Sequence, residues 1–130
     1  MKKNLIILIL TIGLTFAQES NQKLPIQYSA EVVEKANRGD ADAQMKLGQC
    51  YEHGIGVTTD LSQAFVWYEK SAKQGNTYAQ GMIGYFYLTG QGVNKDLSQA
   101  VMWLKRGAEQ GDPACEHNLA HCYWNGIGVT

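Results

Sequence analysis

Two histidines and two cysteines stand close together near the end of the chain, in the run Cys115-Glu116-His117-Asn118-Leu119-Ala120-His121-Cys122. On a helix, His117 and His121 lie one turn apart on one face, a spacing that suits zinc. The run lacks the glutamate that a metalloprotease motif places after its first histidine. On a helical wheel Cys115 and Cys122 fall toward the core side, away from both imidazoles, so the histidines read as two solvated side chains. Disulfide chemistry fares no better. Cys115 and Cys122 are separated by a rise of ~10 Å along one helix, beyond the ~7 Å that a disulfide allows between Cα atoms. Cys50 and Cys122 occupy equivalent places with Phe86 between them, and Cys115 takes a small-residue position held earlier by Ala43 and Ala79. No intramolecular pair is well placed, although Cys50 with Cys115 stays open.

Two other patterns invite a chemical reading. Ser20 and Lys23 form an S-x-x-K, which in penicillin-binding enzymes sets a lysine beside a nucleophilic serine. That chemistry needs the start of a buried helix, and here the motif sits among Gln, Ser and Asn. Gly54-x-Gly56, Gly90-x-Gly92 and Gly126-x-Gly128 could suggest a phosphate loop. They follow helices instead of strands, and lack the third glycine and the lysine. They read as turns. No residue set points to a cofactor or a resident metal.

The bulk properties of the 130-residue chain fit one domain. A net charge of −1 leaves no basic footprint for nucleic acid, and 45% hydrophobic content with 18% charge argues for a folded protein. Lys2 and Lys3, the apolar run Leu5 to Leu14 and the small residues Thr15 and Ala17 make the pattern of a secretory signal peptide over residues 1–17. The apolar run is shorter than the ~20 residues a membrane span needs, and no cysteine follows it to carry a lipid. Residues 18–25 read as a flexible leader. The expectation is an exported chain, periplasmic or secreted, with no membrane span after cleavage.

What must position any functional side chain is a 36-residue period. Residues 39–74 and 75–110 are two full copies, and 111–130 holds the first part of a third. Self-similarity at this period marks a stacked-repeat architecture. Within each copy the apolar residues Ala43, Leu47 and Tyr51 recur as Ala79, Ile83 and Tyr87, then Cys115, Leu119 and Tyr123, a helical spacing. Asp40, Asn76 and Asp112 precede this first helix as N-caps, the last followed by Pro113. Asp60 and Asp96 start the second helix. Gln63 and Gln99, three residues on, suit a capping box. Its buried face is Ala64, Trp67, Tyr68 and Ala72, repeated as Ala100, Trp103, Leu104 and Ala108. Gly48 and Gly84 sit mid-helix, which predicts close helix approach with Trp67 and Trp103 filling the space beside them. Residues 26–38 read as a lone second helix, with Tyr28, Val32 and Ala36 spaced one turn apart, capping the stack. The fold expected is all-α, an α-solenoid of antiparallel helix pairs.

The string carried by Ala43, Leu47, Gly48, Tyr51, Gly54, Gly56, Val57, Asp60, Ala64, Trp67, Tyr68, Ala72 and Gly75 resembles the Sel-one-like repeat, a relative of the tetratricopeptide repeat. The second copy matches in register from Ala79 to Gly111, and the third departs at Cys115 and Ala120. The resemblance covers about residues 26–130. It implies an α-solenoid used as a non-catalytic adaptor in protein complexes, including bacterial envelope systems. A cysteine-rich secreted branch of the same family, some of whose members are ascribed β-lactamase activity, supplies the alternative of an exported hydrolase. That branch ties its repeats with cysteine pairs, which are missing here.

With the fold expected to be repetitive, function should lie where the copies differ. A second face of the first helix carries Asp42, Lys46, Gln49 and His53 in copy one. The matching positions are Tyr78, Met82, Tyr85 and Thr89 in copy two, and Ala114, Asn118, His121 and Asn125 in copy three. Constant orientation with changing chemistry is what a concave recognition surface would show. Lys46, Gln49, His53, Tyr78, Met82, Tyr85, Asn118 and His121 are therefore the candidate contacts for a protein or peptide. Tyr78, Met82 and Tyr85 lead them, because aromatic and Met side chains are enriched in interfaces. The competing reading is that these three pack against the adjacent first helix. Trp124 takes a position filled earlier by Glu52 and Leu88. The expectation is that it stands uncovered in this chain, as a fragment of a longer array or an end that a partner shelters.

Overall fold

The computed structural model describes residues 26–129. The signal peptide and leader expected over 1–25, with Ser20 and Lys23, lie outside the described residues, as does Thr130. Six α-helices follow one another, and the described residues contain no strand: α1 Ala30–Asn37, α2 Ala41–His53, α3 Leu61–Lys73, α4 Thr77–Thr89, α5 Leu97–Glu109 and α6 Pro113–Trp124. Each helix packs on its neighbours in chain order, and α4 also touches α6 across the stack. This is the α-solenoid of helix pairs.

The helix starts follow from their caps. Asp40, Asn76 and Asp112 accept the backbone N–H of Ala43, Ala79 and Cys115 at 2.7, 2.9 and 2.9 Å, each satisfying an otherwise orphaned donor. Asp60 and Asp96 do the same for Gln63 and Gln99 at 3.0 Å. The expected capping box is only half formed. The N–H groups of Asp60 and Asp96 donate to the carbonyls of Tyr51 and Tyr87 at 2.9 and 3.0 Å. The glutamine side chains are therefore not needed there, and the bond ties each second helix to its own first helix. α1 is shorter than the helix expected from residue 26. The Ser29 hydroxyl accepts from Val32 N–H at 3.2 Å and starts it at Ala30. Tyr28 belongs to the extended lead-in, where its ring meets Tyr51 edge-on at 6.4 Å.

Both turn glycines of a repeat are required. Gly54 ends α2 at φ 67°, a left-handed conformation that only glycine adopts cheaply. Gly92, also at φ 67°, lies so close to the carbonyl of Leu61 that a Cβ would strike it. The loop thus stacks on the start of the preceding repeat's second helix.

The core runs the length of the stack, with Tyr68, Phe86, Leu47, Ile83 and Leu104 fully buried. The mid-helix glycines are correctly read as close approaches, but the partners are not the tryptophans. A Cβ on Gly48 would lie 2.7 Å from the Tyr68 ring, and one on Gly84 2.7 Å from Leu104. One residue along a helix turns the side chain by ~100°, so Trp67 and Trp103 face elsewhere. Trp67 packs toward Ala36, Ala43 and Leu47, and Trp103 joins Ala72, Ala79 and Ile83. Lys70 and Arg106 cover their outer ring faces at 4.0 and 4.7 Å.

A glutamine ladder, unmentioned by the apolar pattern, links the repeats. Gln44 and Gln80 are buried and donate to the carbonyls of Ala36 and Ala72, each at 3.1 Å. Gln74 and Gln110 donate in turn to Gln44 and Gln80 at 2.7 and 2.9 Å. The third copy has Glu116 at this position, exposed and, when ionised, unable to donate.

Candidate functional site

Four of the eight candidate contacts come together. Tyr78, Met82 and Tyr85 of α4 and Asn118 of α6 line a groove of about 180 Å3, completed by Thr77, Gly81, Asp112 and Ala114. Tyr78 and Tyr85 are 44% and 42% exposed, so roughly half of each side chain is still available for contact. Each is held from behind by a buried ring: Tyr78 lies 6.3 Å from Tyr68, and Tyr85 6.3 Å from Phe86. Met82, half-buried, packs against the core. The tyrosines are therefore walls with fixed backs and free fronts.

The other four candidates sit apart from this groove. Lys46 lines a separate, wider groove of about 450 Å3 between α1 and α2, with Asp42, Ala43, Val32, Lys35 and Ile26 among its walls. Gln49 is half-buried on α2 and borders neither groove. His53 is exposed at the end of α2, 3.5 Å from the Glu52 carboxylate. His121 is exposed on α6, where the Asn125 amide lies 3.2 Å from its Nδ1.

The groove exists because two junctions between successive repeats are filled differently. In α2 the position before Lys46 is Met45, half-buried against the core that contains Ala79. Its counterpart in α4 is Gly81, and part of the room this leaves is taken by Cys115. A Cβ on Gly81 would already lie 3.1 Å from the Cys115 thiol. Cys115 fits in turn because Gly107 leaves room: a Cβ there would collide with the sulfur. At the first junction the same two positions hold Ser71 and Ala79. Ser71 Oγ donates to the carbonyl of Ala41 at 2.7 Å. Cys115 Sγ, 3.7 Å from the carbonyl of Thr77, serves the corresponding carbonyl at the second junction. Sequence reading missed Gly81 and Gly107. The signal was there, as a Met-to-Gly and a Ser-to-Gly change at positions one period apart.

Charge at the groove is supplied by Asp112. Its carboxyl is held below the usual carboxylate range, first by the N–H of Cys115, so it is ionised at neutral pH. Among the described residues, no lysine, arginine or histidine lines the groove.

The sulfur and phenol groups inside the fold are not poised for chemistry. Cys50, Cys115 and Cys122 are free and fully buried. Burial pushes all three thiols up, Cys115 to about 12, which disfavours the thiolate a nucleophile needs. Burial also pushes up the Tyr68 hydroxyl, which donates to Glu52 at 2.6 Å. His117 and His121 are exposed while Cys115 and Cys122 are buried, and the described residues hold no cluster of three or more metal-ligating side chains.

The repeat boundaries also have a counterpart among known proteins. The Sel1 repeat model matches residues 41–76, 77–112 and 113–130. The chain belongs to the Sel1 repeat family. A Sel1 repeat protein from Oxalobacter formigenes is 34% identical, with a TM-score of 0.70, over 76% of this chain and 74% of that one. A protective antigen present in uropathogenic Escherichia coli strains, displaying an SLR fold, is 36% identical with a TM-score of 0.74. That alignment covers 76% of this chain, which spans only 21% of the antigen's length. The Helicobacter pylori cysteine rich protein B is 27% identical with a TM-score of 0.62, covering 65% of each chain. No curated protein matches. Sel1 repeat proteins generally mediate protein–protein interaction on a scaffold that is typically non-catalytic. No helix among the described residues is long and apolar enough to cross a membrane.

Proposed function

We propose that this chain is an exported adaptor that binds a protein or peptide on the face of its first helices, with the α4–α6 groove at the centre of the contact. The observation that carries the reading is the convergence of Tyr78, Met82, Tyr85 and Asn118 on one groove, with both tyrosines about half exposed. Rigid aromatic side chains with free faces lose little conformational entropy when a partner covers them, which is why such residues dominate binding energy. Tyr78, Met82, Tyr85 and Asn118, at positions that differ between otherwise matched repeats, line this groove. Export is supported by the signal-peptide pattern of residues 1–17.

Peptide display against the wild-type protein and the Tyr78→Ala/Tyr85→Ala variant tests the binding face. The reading expects enriched sequences that lose affinity at least ~30-fold on the double variant, which corresponds to about 2 kcal/mol, with the melting temperature kept within a few degrees. Equal enrichment by both proteins would place the binding elsewhere. A mature N-terminus at Gln18, read by mass spectrometry from a bacterial host, checks the export part.

A further inference from the structure

The α4–α6 groove differs from the first junction in two respects that together describe a ligand. First, Gly81 stands where Met45 stands one period earlier, so the floor of the groove carries no side chain there and is bounded by the Cys115 sulfur. Second, the N-cap is Asp112 where the first junction has the neutral Asn76, whose amide is engaged with Asp42 at 3.3 Å. Among the described residues, the one charged side chain lining the groove is thus a carboxylate, and two tyrosine rings line the same groove. Tyrosine faces attract cations through the ring quadrupole. The positive end of α6 opposes this, but it amounts to about half a charge, and Asp112 already accepts one of that helix's N–H groups.

Resting on the groove being the binding face, we propose that it takes a lysine or arginine side chain of the bound peptide. The unbranched stem crosses the groove floor over Gly81, along the tyrosine rings, and the cation sits by Asp112 at the Thr77 end of the groove. A branched or acidic side chain is a poor occupant, the first by shape and the second by charge.

The test titrates the 15N-labelled full chain with capped Gly-Gly-X-Gly peptides, where X is Lys, Arg, norleucine, Leu or Glu, following the Gly81 and Asn118 amides. Norleucine reproduces the stem without the charge. Lys and Arg are expected to bind about tenfold more tightly than norleucine, with Leu weaker and Glu weakest. Asp112→Asn keeps the cap, since Asn76 caps α4 in the same way, and should bring Lys down to norleucine. Gly81→Met should abolish binding of every guest. Norleucine binding as well as Lys, or a Lys preference that survives Asp112→Asn, would overturn the proposal. So would the absence of any shift at Gly81. Display experiments that still select peptides through Tyr78 and Tyr85 would then leave the adaptor reading standing without the cationic anchor.

Discussion

At the first junction Met45 packs into the core that contains Ala79, Ser71 donates to Ala41, and Asn76 reaches the Asp42 carboxylate. At the second junction the same positions hold Gly81, Cys115, Gly107 and Asp112, and a groove of about 180 Å3 opens beside two half-exposed tyrosines. The backbone plan is common to both, down to the glutamine ladder and the caps. The lesson is that a repeat can be made a binding site without altering its scaffold. Removing one side chain makes the space, and moving bulk from Ser71 to Cys115 keeps the nearby core filled.

That exchange of bulk can be broken most severely by mixing the two junctions. Gly107→Ser in α5 forces a Cβ onto the Cys115 sulfur, and overpacking of this kind costs about 2 kcal/mol. Adding Cys115→Ala rebuilds the Ser71–Ala79 arrangement and should recover most of the loss, as read by urea midpoints. If the double variant is no more stable than the single one, the two positions are not a matched pair. Gln80→Ala comes next. It removes one of two donors to the Ala72 carbonyl, which keeps the Gly75 N–H at 3.0 Å, and leaves the Gln110 amide only its 3.4 Å bond to the Arg106 carbonyl, a loss of about 1 kcal/mol.

The fold was legible because its cues are local and recur. Caps at Asp40, Asn76 and Asp112, glycine stops and helical spacing each act within a few residues. The glycine partners were not legible. Whether Tyr68 or Trp67 meets Gly48 depends on how α2 and α3 cross, which a single helix's wheel does not contain. The aromatic walls could be picked out as positions that change between copies. The groove between them was missed, because the Met-to-Gly change at Gly81 and the room that Gly107 leaves for the Cys115 sulfur take effect only once the helices are packed. The donor of each ladder rung, Gln74 and Gln110, went unread because polar residues carry no apolar period.

A smaller effect separates the two junctions in alkali. The folded chain holds the Cys115 proton up to about 12, whereas an ordinary thiol releases it near 9.0. The folded state therefore binds more protons than the unfolded one in that window. Stability is intact below about pH 9 and falls as pH rises from there toward 12. Tyr68, also raised from its ordinary 10.0, adds to the same fall at the first junction. Stability curves against pH should be shallower for Cys115→Ala between pH 9 and 12, and shallower for Tyr68→Phe above pH 10. A wild-type curve flat through this range would contradict the burial of both groups. Smallest of all is Trp124→Ala. The residue is 90% exposed, so the stability change should stay within about 0.5 kcal/mol.

The most direct measurement of the central claim is the affinity of a display-selected peptide for two double alanine variants, one at each site. Tyr78→Ala/Tyr85→Ala removes the walls of the second junction. Lys46→Ala/Gln49→Ala truncates the neighbouring face of α2. The account predicts at least ~30-fold weaker binding for the first, about 2 kcal/mol, and a change under about threefold for the second, with both proteins melting close to wild type. Loss of affinity confined to the α2 variant would contradict it.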